Sequence, residues 1–213
     1  MFFFEKEEMR HTSCMITKKH STEGVTLKAL HFRDYDRIIT VYTLESGVLT
    51  LLVKGGNRPN NPYRALTSPL TRGEFIYSRG RSDIATFHEG TIINPYRQLR
   101  TNANRLQTAC HLARALMRNQ CAEKTAPPLY RLFVYYLEKL ALTDNYRALE
   151  ASFLLKLLRY EGLLDHSSFN REEQHLVTEL ACSTAFSQLT SMTIPESLHM
   201  KTEKLFEILG THQ

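Results

Sequence analysis

The sequence predicts an α+β protein: an OB-fold-like β-barrel over residues 24–94, then an all-α helical domain over residues 95–213, with residues 1–23 as an N-terminal extension. Two observations carry this. Between Gly24 and Asn94, turn residues recur every eight to twelve positions, separated by short runs rich in Val, Ile, Thr, Tyr and Phe, the composition of strands. From Pro95 onward the apolar period lengthens from two to about 3.6, the signature of helices with one buried face.

Val25, Leu27 and Ala29 alternate with Thr26 and Lys28 in the first strand. After Asp34-Tyr35-Asp36, the run Ile38 to Leu44 and the run Val48 to Val53 flank Glu45-Ser46-Gly47, which reads as a hairpin. The stretch from Lys54 to Pro69 holds Gly55, Gly56, Pro59, Asn60, Asn61 and Pro62 and is expected to be a loop. Glu74 to Ser78 and Ile84 to His88 complete five strands around Arg79-Gly80-Arg81-Ser82-Asp83. Five short strands with one long basic loop fit the OB-fold, although a small sandwich or an SH3-like barrel gives much the same pattern.

In the helical half, Leu99, Ala103, Leu106, Cys110, Ala113 and Met117 fall on one expected face. Pro127-Pro128 opens a second helix carrying Leu129, Leu132, Phe133, Tyr136, Leu137 and Leu140. Leu149, Phe153, Leu154, Leu155, Leu157 and Leu158 are apolar nearly all round, so their helix is expected at the centre of the domain. Asn170, three residues before Glu173, reads as a capped start, and a last helix is expected from near Pro195 to Gly210.

A net charge of +5 becomes informative once located: residues 1–100 hold 15 Lys+Arg against 10 Asp+Glu, and the remainder 12 against 12. The first half is therefore the half expected to meet a polyanion. Arg58, Arg64, Arg72, Arg79 and Arg81 are interleaved with Tyr63 and Tyr77, and Arg37 opens the second strand. Guanidinium groups neutralise phosphates while rings stack on bases, so this combination points to single-stranded nucleic acid. Lys54-Gly55-Gly56-Asn57-Arg58 invites a phosphate-binding reading through its glycine N–H groups and its charges, against the alternative of a flexible loop with solvated charges. It lacks the order of a nucleotide-hydrolysing loop.

Enzymatic patterns are lacking. Nine histidines form no H-E-x-x-H or H-x-E pattern, and no G-x-S-x-G elbow occurs. Asp34, Asp36, Asp83 and Glu89 could be read as a metal cluster for a nuclease, but they sit in turns at spacings shared with many barrels. Cys14, Cys110, Cys121 and Cys182 are scattered without a C-x-x-C pair, which argues against a zinc ribbon or a disulfide frame. No apolar run approaches the roughly 20 residues of a membrane span, and Glu5 and Lys6 interrupt the apolar start too soon for a signal peptide, so a cytoplasmic location is expected.

The stretch from Gly24 to Arg58, with Leu27-Lys28, Asp36-Arg37-Ile38-Ile39-Thr40, Glu45-Ser46-Gly47 and Lys54-Gly55, resembles the opening of RecO proteins. Leu66 to Pro69, Glu74, Arg79-Gly80-Arg81 and the run Leu154-Leu155-Lys156-Leu157-Leu158-Arg159 resemble later parts of the same family. Where many members place paired cysteines for zinc, this chain reads Gly162-Leu163-Leu164-Asp165-His166-Ser167-Ser168-Phe169, which cannot make a thiolate site, so no zinc, other metal or cofactor is expected in this protein. The 23 residues before Gly24 also exceed the family's usual few, and Met9 or Met15 offers an alternative start.

The resemblance implies a non-enzymatic recombination mediator that binds single- and double-stranded DNA and anneals complementary strands. With RecR it would assist RecA loading onto strands covered by single-strand-binding protein. The DNA-binding candidates are Lys28, Arg37, Lys54, Arg58, Arg64, Arg72, Arg79 and Arg81. For the acidic tail of the single-strand-binding protein, the candidates are Arg114, Arg118, Arg131, Lys139, Lys156 and Arg159. The rival readings are an RNA-binding module outside recombination and the metal-dependent nuclease.

Overall fold

The computed structural model describes residues 18–120 and 124–209. Cys14, Cys121, Gly210 and the two alternative start methionines lie outside the described residues. Five strands come first: β1 (Lys19–Phe32), β2 (Asp36–Thr43), β3 (Gly47–Val53), β4 (Thr71–Ser78) and β5 (Ala85–Asn94). A 3-10 turn at Arg97–Thr101 leads into α1 (Ala103–Asn119), α2 (Pro127–Leu140), α3 (Tyr146–Tyr160), α4 (Arg171–Cys182), α5 (Phe186–Ser191) and α6 (Glu196–Leu209).

The strands join in the order β1-β2-β3-β5-β4, with β4 returning to β1, so the sheet curls round until it meets itself. Closure into a barrel is therefore present, and what needs correcting in the OB-fold-like unit expected over residues 24–94 is its extent, because β1 opens at Lys19. The β1/β2, β1/β4, β2/β3 and β4/β5 seams are antiparallel ladders of seven or eight residue pairs, whereas β3 and β5 touch in parallel through Leu51↔Ala85 and Leu52↔Thr86 alone. The ring is thus a curled antiparallel sheet with a short parallel seam, and the class is α+β.

The first strand also begins earlier than expected. Lys19-His20-Ser21-Thr22-Glu23 pairs with Ser78 back to Glu74, so these residues are sheet and not extension. Their polarity hid them: the pairing is set by β4, which lies about fifty residues away in sequence.

Two cores follow from strand alternation. Inside the curl, Ile39, Val41, Leu49, Leu51, Val53, Phe75, Tyr77 and Phe87 pack around Leu66, which the β3–β4 loop inserts. Leu66 fits because Gly73 and Gly90 leave room for it; a Cβ at either position would overlap a Leu66 methyl and a neighbouring backbone carbonyl. On the other side, Val25, Leu27, Tyr42 and Leu70 join the helical core, with Tyr42 against the rings of Tyr130 and Phe133.

Sheet and helices are also tied by charge. Glu23 Oε1 accepts from Arg72 Nε at 2.8 Å and from the Tyr130 hydroxyl at 2.8 Å, while Arg72 Nη1 lies 3.4 Å from Glu138 of α2.

In the helical half, α3 packs against α1, α2, α4, α5 and α6, which is why its apolar residues surround it. Asn170 and Glu173 make the reciprocal capping box at the start of α4, and Pro127 starts α2. The expected face of the first helix is rotated. Leu99 belongs to the 3-10 turn, and α1 buries Thr108, Ala109, Leu112, Ala113, Ala115 and Leu116, with Leu106, Cys110 and Met117 at the margin.

Candidate nucleic-acid interface

The outward side of β1, β2 and β3 carries two cross-strand rows. Lys28 pairs with Thr40 and Thr40 with Thr50; Leu30 pairs with Ile38 and Ile38 with Leu52. Lys28 and Leu30 are exposed and the rest half-buried, so this side presents hydroxyls and aliphatic groups beside a lysine.

Beyond the end of this face lie the β1–β2 turn and the first part of the β3–β4 loop, locked together by hydrogen bonds. Gly55 N–H donates to Asp36 Oδ1 at 2.8 Å and Asn57 N–H to the Tyr35 carbonyl at 2.8 Å; the Asn57 amide also donates to the Asp36 carbonyl. Arg37 Nε donates to Asn57 Oδ1 at 3.0 Å, and its Nη1 to Thr67 Oγ1 at 3.1 Å. Asn61 closes the loop by donating to the Gly55 carbonyl at 2.9 Å.

These bonds decide between the two readings of the glycine loop, and neither survives whole. The N–H groups of Gly55, Gly56, Asn57 and Arg58 all donate within the protein, to Asp36, Val53, Tyr35 and Gly55, so the backbone forms no anion cradle. The loop is not slack either. Gly55 supplies the positive φ (64°) that the turn needs, and the side chains of Asp36, Arg37, Asn57 and Asn61 hold the loop's course. What remains for an anion is side-chain charge: Lys54, Arg58 and Arg64 are exposed. The Arg58 guanidinium lies 5.4 Å from the centre of the Tyr35 ring, and Tyr35 is 57% exposed. Tyr35 is an exposed ring that the sequence reading did not single out, because it sits in a three-residue turn where nothing local marks it.

Arg37 plays another part. Burial, and then the charge of Arg64, push its pKa below the ordinary arginine value, which places two guanidinium groups close enough to feel one another. Arg72 is turned toward Glu23 and Glu138 at the helical side; burial opposes its charge, but the Glu23 hydrogen bond and carboxylate outweigh that and raise its pKa. Of the eight cationic candidates, Arg72 is thus engaged between sheet and helices.

Arg79 and Arg81 are carried by the β4–β5 loop. Because β5 runs parallel to β3 from Ala85, this loop is laid back along the start of β3, where Arg79, Arg81 and Asp83 line a cleft of about 470 Å³ with Val48, Leu49 and Thr50. Lys54, Arg58, Arg64 and Arg37 therefore form one group, Arg79 and Arg81 a second, and Lys28 stands on the face of the sheet.

The helical candidates divide among several places. Arg114 and Arg118 line a cleft with Ala115, Leu154 and Phe206. Arg131 borders a cleft at the sheet–helix junction with Glu23 and Glu138. Lys139 lies over the rings of Tyr135 and Phe186, and Lys156 over Tyr136 while donating to the Ser183 carbonyl. Burial lowers the Lys156 pKa. Arg159 donates to the Ala181 carbonyl at 3.3 Å, near the end of α4. Arg114 and Arg118 are both exposed and line one cleft, whose other walls include Leu154, Phe206, Glu150 and Glu203.

The acidic set does not converge. Asp36 is held by Gly55, and Glu89 pairs with Lys19 at 3.7 Å. Among the described residues, the His, Cys, Asp and Glu side chains that come together are His111, Glu150 and Glu203. No helix among the described residues is long and apolar enough to cross a membrane.

Residues 15–96 match the family model described as Recombination protein O N terminal. The chain is similar to the DNA repair protein RecO of Chlamydia pneumoniae, at 29% identity over 67% of this chain and 56% of that protein. It is also similar to the DNA repair protein RecO of Chlamydia trachomatis serovar D, at 23% over 76% of this chain and 80% of that one. The DNA repair protein RecO of Clostridium acetobutylicum matches at 27%, over 66% and 57% of the two chains.

Proposed function

We propose that this chain, whose residues 15–96 match the N-terminal model of the RecO family, is a member of that family and acts as a non-catalytic mediator whose curled sheet grips the DNA backbone while its helices receive protein partners. The observation that carries the reading is the rigid mounting of exposed cations beside an exposed ring. Lys54 and Arg58 project from a loop whose backbone is satisfied internally, and Arg58 stands over Tyr35. Fixed charges neutralise phosphates without a large ordering cost, and a ring paired with a guanidinium accepts any base by stacking. Such a site favours backbone over sequence, as a protein that binds both single and double strands requires.

The division of labour is part of the proposal: residues 24–94, extended back to Lys19, for DNA, and residues 95–213 for partners, with RecR and the acidic tail of the single-strand-binding protein as those partners. Arg114 and Arg118, above Leu154 and Phe206, have the charge and apolar floor for such a tail.

The test is annealing of complementary single strands at two salt concentrations, with chelator and without nucleotide. The proposal expects annealing in both, slower at the higher salt, and no strand cleavage when Mg²⁺ or Mn²⁺ is restored. A preference for RNA together with indifference to RecR would move the protein to the RNA-binding reading, and metal-dependent cleavage would move it to the nuclease reading.

A further inference from the structure

Glu150 is the most demanding ionisable group in the helical core. Its side chain, 7% exposed, lies on α3 between His111 of α1 and two residues of α6, His199 and Glu203. A buried carboxylate must be compensated, and here the compensating groups are imidazoles, which also ligate metals. His111 Nδ1 lies 2.7 Å from Glu150 Oε1 and 3.8 Å from Glu203 Oε1. On the far side, His199 Nε2 is 3.5 Å from Glu150 Oε2, and its Nδ1 is 3.9 Å from Glu203 Oε2. His199 Nε2 is sealed from solvent and, at that distance, lacks the alignment of a hydrogen bond.

We propose that His111, Glu150 and Glu203 form a site for a divalent transition-metal ion of the zinc class, with His199 as the outer group that steadies the two carboxylates, so that the ion fastens α6 to α1 and α3. The geometry supports it. One ligand atom from each of the three residues lies within 4.8 Å of the others. Ligand atoms about 2.0–2.2 Å from a tetrahedral ion stand roughly 3.4 Å apart, between the two His111 distances, so small side-chain shifts suffice. One neutral imidazole and two carboxylates carry the charge that a dication balances. Three protein ligands would leave a fourth position open to the cleft of about 130 Å³ that the same residues line.

Other charges around the site decide selectivity. Arg114 and Arg118 line the same cleft, and Arg147 of α3, paired with Glu196, lies on the His199 side. Their positive field disfavours a loosely held cation, so binding has to come from direct ligation. Nitrogen ligation favours Zn²⁺ and Co²⁺ over Mg²⁺, which prefers an all-oxygen, largely hydrated shell.

The test uses the full chain, stripped with chelator and dialysed at neutral pH, then titrated with Co²⁺ by visible absorption and with Zn²⁺ by calorimetry. The expected result is a single equivalent of each, with the intense visible bands of four-coordinate Co²⁺, unaffected by millimolar Mg²⁺. His111→Asn and Glu150→Gln should each weaken Zn²⁺ at least about tenfold, and His199→Asn by about tenfold to a hundredfold as an outer group. His175→Asn, an exposed histidine on α4, serves as the control and should change nothing. Should Glu150→Gln fail to fold by circular dichroism, Glu203→Gln, at a more exposed ligand, answers the same question. Wild-type protein that shows no four-coordinate Co²⁺ bands, or that binds Zn²⁺ no more tightly than His111→Asn, overturns the proposal. So does a His175→Asn loss as large as that of His111→Asn.

Discussion

Replacing Glu23 by Gln keeps the side chain's volume and removes the charge that joins the sheet to α2. In the native protein its Oε1 accepts from Arg72 Nε and from the Tyr130 hydroxyl, each at 2.8 Å, and its side chain is 27% exposed. Hydrogen bonds to charged groups contribute about 1.5–3 kcal/mol each when buried. Partial solvent access and the neutral carbonyl that Gln retains bring the expected loss to about 2 kcal/mol, which for a domain of this size lowers the Tm by roughly 4–8 °C.

The pH dependence gives an independent check on the same contact. Burial alone would raise the Glu23 pKa, but the hydrogen bonds from Arg72 and Tyr130 and the Arg72 charge outweigh it, so the pKa lies below the ordinary glutamate value of 4.5. A carboxylate with a depressed folded-state pKa stabilises fully above its unfolded value, and that stability is lost as pH falls through the folded value. Urea denaturation of wild type and variant at a series of pH values should therefore give curves separated at pH 7 that converge below pH 4.5. Equal stability at pH 7, or a gap that stays constant into strong acid, would refute the reasoning.

Two further substitutions probe the packing. Gly73→Ala sets a methyl against Leu66 and the Thr91 carbonyl and is expected to destabilise by about 1–3 kcal/mol in thermal melts. Leu66→Ala, which empties the position that Gly73 and Gly90 accommodate, should cost about 2–5 kcal/mol. If the double variant Gly73→Ala with Leu66→Ala is less stable than the sum of the two losses requires, the proposed contact is wrong, since the smaller side chain ought to relieve the overlap. Asn170→Ala removes the side-chain half of the capping box and should lower stability by about 1 kcal/mol, with faster amide exchange in the first turn of α4 as the local readout.

Local chemistry made much of this molecule legible. The β2–β3 hairpin follows from Glu45-Ser46-Gly47, where Gly47 adopts the positive φ the turn demands. The start of α2 follows from Pro127, and the start of α4 from Asn170 and Glu173. These features depend on residues within a few positions of each other. What stayed hidden depends on distant partners. Lys19 to Glu23 become strand only because β4 lies alongside, and the curl closes through two residue pairs that no spacing announces. Arg72 is indistinguishable from its basic neighbours until Glu23 and Glu138 are placed beside it. In the same way, the glycine loop shows its composition in sequence but not the fate of its N–H groups, which Asp36 and the Tyr35 carbonyl take up across the β1–β2 turn. The convergence of His111, Glu150 and Glu203 spans three helices and has no counterpart in any motif.

The account rests on phosphate neutralisation by fixed side chains around the β1–β2 turn and the two basic loops. Its most direct test is the salt dependence of duplex DNA binding for wild type and for Lys54→Ala, Arg58→Ala, Arg81→Ala combined, with folding checked by circular dichroism. Each phosphate contact contributes about 0.9 to the slope of log K against log salt, so the triple variant should bind more weakly across sequences and flatten the slope by up to about 2.7. A folded triple variant with the wild-type slope would contradict the account and move the DNA to another surface of the protein.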